Sequence, residues 1–181
     1  MRVGTAGLTD RAGFHPAHLY AYLEAARARL LQWVGGLTDE QYAREFPFGH
    51  RSIRATLVHT ASAEWTYGRR LRGEVVPPPE ERPFARFART GVQPLAAAWA
   101  ELAAQTRQTL AAITDWTAPV EYAGLDGVRI RTTTGGIAAQ LLFHEVHHRA
   151  QVMAMLRQCG VSAQNLDYSI LMFERLPSSE G

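Results

Sequence analysis

The spacing of apolar positions divides this chain into helices before any composition is counted. Leu19, Tyr22, Leu23, Ala26, Leu30, Trp33 and Val34 recur with a helical period and predict a first helix from about Pro16 to Gly35. Pro16 suits a first helical turn, and Gly35-Gly36 ends the pattern. Ile53, Leu57, Ala61, Trp65 and Leu71 predict a second helix, from the N-cap residue Ser52 to about Arg72, before Gly73. A third covers roughly Val92 to Ile113, with Leu95, Trp99, Ala103, Thr106 and Leu110 on one face. A fourth runs from about Thr134 to Cys159 and is closed by Gly160, and a short last helix spans about Leu166 to Arg175.

Two segments break the helical period. VVPPPEERP, Val75 to Pro83, holds three consecutive prolines, which cannot continue a helix and favour an extended, stiff connector. A chain of 181 residues is too short for two comfortable cores on either side of it. Pro77–Pro83 is therefore read as a connector inside one domain, 1–181, and as a long crossover between helices. Between Asp115 and Thr133, β-branched and aromatic residues around Gly124 and Asp126-Gly127 predict a small hairpin or irregular loop. The expected fold is all-α: a four-helix bundle with one long crossover between helices 2 and 3, a hairpin segment before helix 4 and a short C-terminal helix.

Composition narrows the function classes. With 46% hydrophobic and 20% charged residues and a single cysteine, the chain is neither a disulfide scaffold nor too charged to collapse. No apolar run reaches the ~18 residues a membrane span needs. The first residues lack the apolar core of a secretory signal, so a cytoplasmic location is expected. All nineteen positive residues are arginine and stand against seventeen acids, so the net charge is only +2. They are scattered, with Arg69, Arg70 and Arg72 the densest group, whereas nucleic-acid binders concentrate charge on a stripe or arm. Neither a nucleic acid nor a membrane is expected as a partner.

Histidine is the unusual inventory: seven in all, three of them within five residues of QLLFHEVHHRAQVMAMLRQCG. His144 and His148 lie about 40° apart and one turn along the fourth helix, the spacing by which two imidazoles on one helix can grip one metal ion. They interrupt an apolar stripe of Ile137, Leu141, Val152 and Met155. Rings facing a core must be hydrogen-bonded or metal-bound, because leaving them unpaired costs a few kcal/mol. A pair of satisfied core histidines and a metal-binding pair fit this pattern equally well. Gln151 shares their side and is a candidate outer partner. His147 points some 60° to the other side of His144 and ranks below His148 as its partner.

A third ligand would have to come from elsewhere, and His59, mid-helix in TLVHTASAEW, is the best candidate. It lies off the Ile53/Leu57/Ala61 stripe, among Ala55, Ser62 and Ala63, where a pocket wall and an exposed face are both possible. His15 precedes Pro16 and is pushed out of helical geometry, so it forms no helical pair with His18. His50, in the loop FPFGHR, is expected to be solvated. Cys159 lies about 16 Å along the helix from His148, out of reach of the same ion, and reads as a small core residue.

LVHTASAEW and HEVHHRAQVMAMLRQCG together resemble the DinB/YfiT-like family of small helical metalloenzymes. The HxxxHRxQ element stands here as His144, His148, Arg149 and Gln151. The resemblance runs from about residue 16 to 175, including the proline-bearing crossover and the NLDY segment. It implies one metal ligand from the second helix and two from the fourth, which match His59, His144 and His148. Alanine stands at position 150 where the family often has glycine. Glu145 creates a competing HExxH pattern, in which a glutamate serves as general base beside two zinc-binding histidines. The glycine and third histidine of the longer protease motif are missing after His148. Glu145 reads more simply as a surface acid or one behind the ligands.

The resemblance implies one divalent ion, zinc or nickel first, with iron and copper within the range of three imidazoles. It also implies chemistry on a small molecule, as a transferase or hydrolase, with a low-molecular-weight thiol as cosubstrate. A stress-associated metal-binding protein without turnover is the alternative. The sequence singles out no catalytic residue beyond the ligands. A second apolar stripe on the fourth helix, Leu142, Val146 and Met153, is either covered within the domain or shared across the homodimer that relatives often form.

Overall fold

The four long periodic segments fold as helices within a residue or two of the predicted ends. The computed structural model describes residues 14–124 and 127–175. Its elements in chain order are α1 (Pro16–Val34), α2 (Asp39–Ala43), α3 (Ile53–Leu71), α4 (Val92–Ala112), β1 (Pro119–Ala123), β2 (Arg129–Thr133), α5 (Thr134–Gln158) and α6 (Tyr168–Met172). The fold is predominantly helical with one small sheet. Helix α1 packs on α4 and α5, and α3 packs on the same two, so every long helix touches two others. Leu23, Ala26, Ile53, Leu57, Leu95, Trp99, Val152 and Met155 are among the core residues they bury.

Local chemistry sets the ends. Ser52 caps α3 by accepting from the Ala55 amide, and Thr133 caps α5 by accepting from the Gly136 amide. Helix α2 escaped the periodicity reading because five residues are too few to show a period. Its signal was chemical instead: Thr38 and Gln41 form a reciprocal capping box.

The proline segment is non-helical, as expected, only as far as Pro78. Short 3-10 turns form at Pro79–Glu81 and Pro83–Arg89, the second burying Phe84 and Phe87 against the core. Proline fixes φ near the helical value, so it can start such turns even though it cannot sit inside a helix. The hairpin forms as expected: β1 and β2 pair antiparallel from Pro119↔Thr133 to Ala123↔Arg129. Gly127 supplies the positive φ at its tip, while Asp126 of the predicted turn lies outside the described residues. The second stripe on α5 is half-buried against the core, so α5 is covered over one broad arc. Among the described residues no helix is long and apolar enough to cross a membrane.

Candidate metal centre

His59 on α3 and His144 on α5 face each other across the closest helix pair, with their Nε2 atoms 3.0 Å apart. His148, one turn further along α5, brings its ring centroid to 4.4 Å from His144 and 4.7 Å from His59. The three candidate ligands therefore meet at one place. For comparison, two nitrogens bound tetrahedrally to one ion at 2.0–2.1 Å lie roughly 3.3 Å apart.

Gln151 fixes the orientation of His148. Its Oε1 lies 2.9 Å from His148 Nδ1, so that nitrogen donates and Nε2 keeps its lone pair for the cluster. The amide nitrogen of Gln151 lies 2.9 Å from Nε2 of His147, which sits exposed on the outer side. Gln151 thus stands behind the site as expected, and His147 meets it through this amide and edge-on to the His148 ring at 4.9 Å.

A fourth imidazole joins the cluster, against expectation. His50 stacks on His59 with centroids 3.8 Å apart and lies 5.1 Å from His148. One ligand atom from each of His50, His59 and His148 falls within 4.8 Å of the others. The residue remains exposed, yet it is not merely solvated. The loop before α3 turns sharply there: Gly49 and Arg51 both have positive φ, and the Phe46 amide donates to the Arg51 carbonyl at 2.7 Å. Arg51, at φ 67°, is the only non-glycine residue with positive φ among the described residues. Helical periodicity says nothing about loop residues; the usable signal was a histidine directly after a glycine and just before a helix cap.

The cluster is electrically prepared for a cation. Burial, then the neighbouring His50, His144, His148 and Arg82, push His59 down to about 3. Burial, then His148, His147 and His50, push His144 down to about 4. Burial also lowers His50 and His148. Neutral imidazoles are the ligating form, so at neutral pH no proton need be displaced. Tyr67 closes one side, edge-on to His144 at 5.7 Å, with its hydroxyl accepting from Gln140. Neutral imidazoles suit a divalent ion, and the three whose ligand atoms lie within 4.8 Å of one another are His50, His59 and His148, with His144 reaching the cluster through His59.

Glu145 corrects the reading as a surface acid. It is buried and turned away from the histidines, receiving two hydrogen bonds from Arg27, 3.1 Å from Nε and 2.5 Å from Nη2. Arg27 also binds Glu64 at 2.7 Å, and Glu64 accepts from Tyr20, Trp99 and Thr106. An acid so held is not free to act as a base at the histidine cluster. Cys159 lies half-buried at the far end of α5 and forms no part of the site.

Imidazoles gathered from two helices and a loop are compatible with a metal-dependent helical protein. The DinB family model matches residues 7–177, nearly the whole chain, and the chain belongs to that family. No curated protein matches it.

Proposed function

We propose that this chain is a divalent-metal-dependent enzyme acting on a small molecule, with His59, His144 and His148 as the protein ligands of a single ion. The observation that carries the reading is the 3.0 Å approach of His59 and His144 beside a His148 oriented by Gln151. Three imidazoles leave a coordination position for a substrate, which is a catalytic rather than a structural arrangement. A bound divalent ion would supply Lewis acidity toward a thiol or a water molecule. The chain's own part is to keep the imidazoles neutral, orient them and shield one side with Tyr67. Zinc and nickel are the ions proposed, and thiol-dependent transfer or hydrolysis the chemistry. We read the four mutually packed long helices as a four-helix bundle in one domain, and the assembly as a homodimer.

The HExxH protease alternative loses its base, because Glu145 is tied to Arg27. A binding protein without turnover remains the second reading, since among the described residues Tyr67 is the one non-histidine proton donor shown against the cluster rings.

Metal analysis of protein purified without added ions is the test. One ion per chain is expected in the wild type, with loss in His59→Ala and His144→Ala. Protein that stays metal-free after loading with zinc and with nickel would defeat the proposal. Turnover of electrophiles that requires an added low-molecular-weight thiol would then separate the enzyme from the passive binder.

A further inference from the structure

A cleft of about 460 Å³ opens beside His59, between α3 and the 3-10 segment of the crossover. Arg54, Ala55, Val58, His59 and Ser62 form its α3 wall, and Arg82 faces them from the crossover. Among the described residues no aspartate or glutamate lines it. Its volume is that of a small-molecule site.

The two arginines give the cleft its chemistry. Arg27, Arg72 and Arg131 are examples of guanidinium groups held by carboxylates outside it. Arg54 and Arg82 make no ion pair among the described residues. Arg54 lies over the Tyr42 ring at 5.2 Å, and its Nε is buried without a hydrogen-bond partner. Arg82 spends its Nε on the Pro77 carbonyl at 3.2 Å. Glu80 acts on its charge from outside the cleft, but burial and the nearby Arg70 outweigh it and hold Arg82 below the usual guanidinium range. The cleft thus holds two cationic side chains, Arg54 and Arg82, among the apolar Ala55 and Val58, with Arg82 near enough to His59 to act on its charge.

We propose that this cleft binds the anionic end of the substrate through Arg54 and Arg82, and that the substrate is a small carboxylate or phosphate. Guanidinium groups match both anions through paired N–H donors. An anion held in the cleft would lie against Val58 and Ala55 and beside His59. The inference rests on the metal reading only for what happens at the histidines.

Titration calorimetry with succinate, inorganic phosphate and neutral succinamide tests it, on protein of measured metal content and again after chelation. At least one anion should bind where succinamide does not, and the preferred anion tells carboxylate from phosphate. Losing a charge-assisted hydrogen bond should weaken binding roughly 10- to 100-fold in Arg54→Gln and in Arg82→Gln. Arg131→Gln, on the hairpin, should bind as wild type does. Arg82→Lys keeps the charge and should keep part of the affinity, which guards against misreading a folding defect. No anion binding, or anion binding indifferent to both glutamine substitutions, would overturn the proposal. Persistence of the arginine dependence in metal-free protein would uphold the anion site even if no ion binds the histidines.

Discussion

Four uncharged imidazoles packed together behave differently from four isolated ones, and the difference is measurable as pH dependence. The folded-state values of about 3 for His59 and about 4 for His144 lie below the ~6.5 of an unfolded histidine. As pH falls below about 6.5, the unfolded chain takes up protons that the folded chain refuses. Stability of chelator-treated protein should therefore be flat from pH 8 to 7 and fall as pH drops from about 6.5 toward 5. Denaturant midpoints across that range check it, and His59→Gln/His144→Gln should flatten the slope. At the same scale, His50→Ala removes the ring stacked on His59 without removing any of the three proposed ligands. One ion should still bind, weakened roughly 10- to 100-fold, as for loss of a group supporting a ligand. Affinity equal to wild type in a chelator competition would show that His50 has no part. His144 and His148 were legible in the sequence because both sit on one helix, where angle follows from numbering. His59 was singled out through the family resemblance more than by its own spacing, and His50 was missed, because their approach depends on how α3 and its preceding loop meet α5.

Elements explain why the loop is so placed. The turn before α3 needs glycine at position 49 for two reasons: φ is +59°, and a Cβ there would stand 2.8 Å from the Gln151 Oε1 that orients His148. Gly73, just past α3, also has positive φ but would meet nothing within 4 Å. The pair makes a controlled comparison. Gly49→Ala and Gly73→Ala should each lose about 1–2 kcal/mol from the left-handed backbone, read as melting shifts. Only Gly49→Ala should also weaken metal binding, since only it displaces Gln151; equal affinities in the two variants would refute the coupling. The same distinction separates what the sequence disclosed from what it hid. Long helices declared themselves through periodicity from Pro16, Ser52, Val92 and Thr134. The 3-10 turns that begin at Pro79 and Pro83 did not, because proline marks where an α-helix stops without saying which tighter turn follows.

At the scale of the whole molecule, one buried polar node joins all four long helices. Tyr20 and Arg27 come from α1, Glu64 from α3, Trp99 and Thr106 from α4, and Glu145 from α5. Side chains of Arg27, Glu64 and Glu145 are only 6%, 3% and 6% exposed, so solvent screens them little. The node was half legible: Glu64 falls in angle between Ile53 and Leu57 on the apolar stripe of α3, a buried acid that periodicity can flag, but the numbering of one helix does not say which partners on the others would meet it. Burial raises the Glu145 carboxyl while Arg27 pulls it back, so the guanidinium is what allows two carboxylates to share the core. Replacing Arg27 by methionine keeps most of the volume but leaves both acids without their cation. Breaking a buried pair in this way costs about 3–5 kcal/mol. For a chain of this size, that corresponds to a fall in Tm of roughly 6–20 °C. Removing all three charges together, as Arg27→Met/Glu64→Gln/Glu145→Gln, should recover much of the loss, because no uncompensated ion then remains inside. Glu145 lies about 100° round α5 from His144 and about 60° from His148, and among the described residues no hydrogen bond links the histidine cluster to the node. Metal stoichiometry of Arg27→Met below its melting transition should therefore match the wild type, while its midpoint falls. If the single variant melts as the wild type does, or if the triple variant is the less stable of the two, the node does not hold the helices together electrostatically.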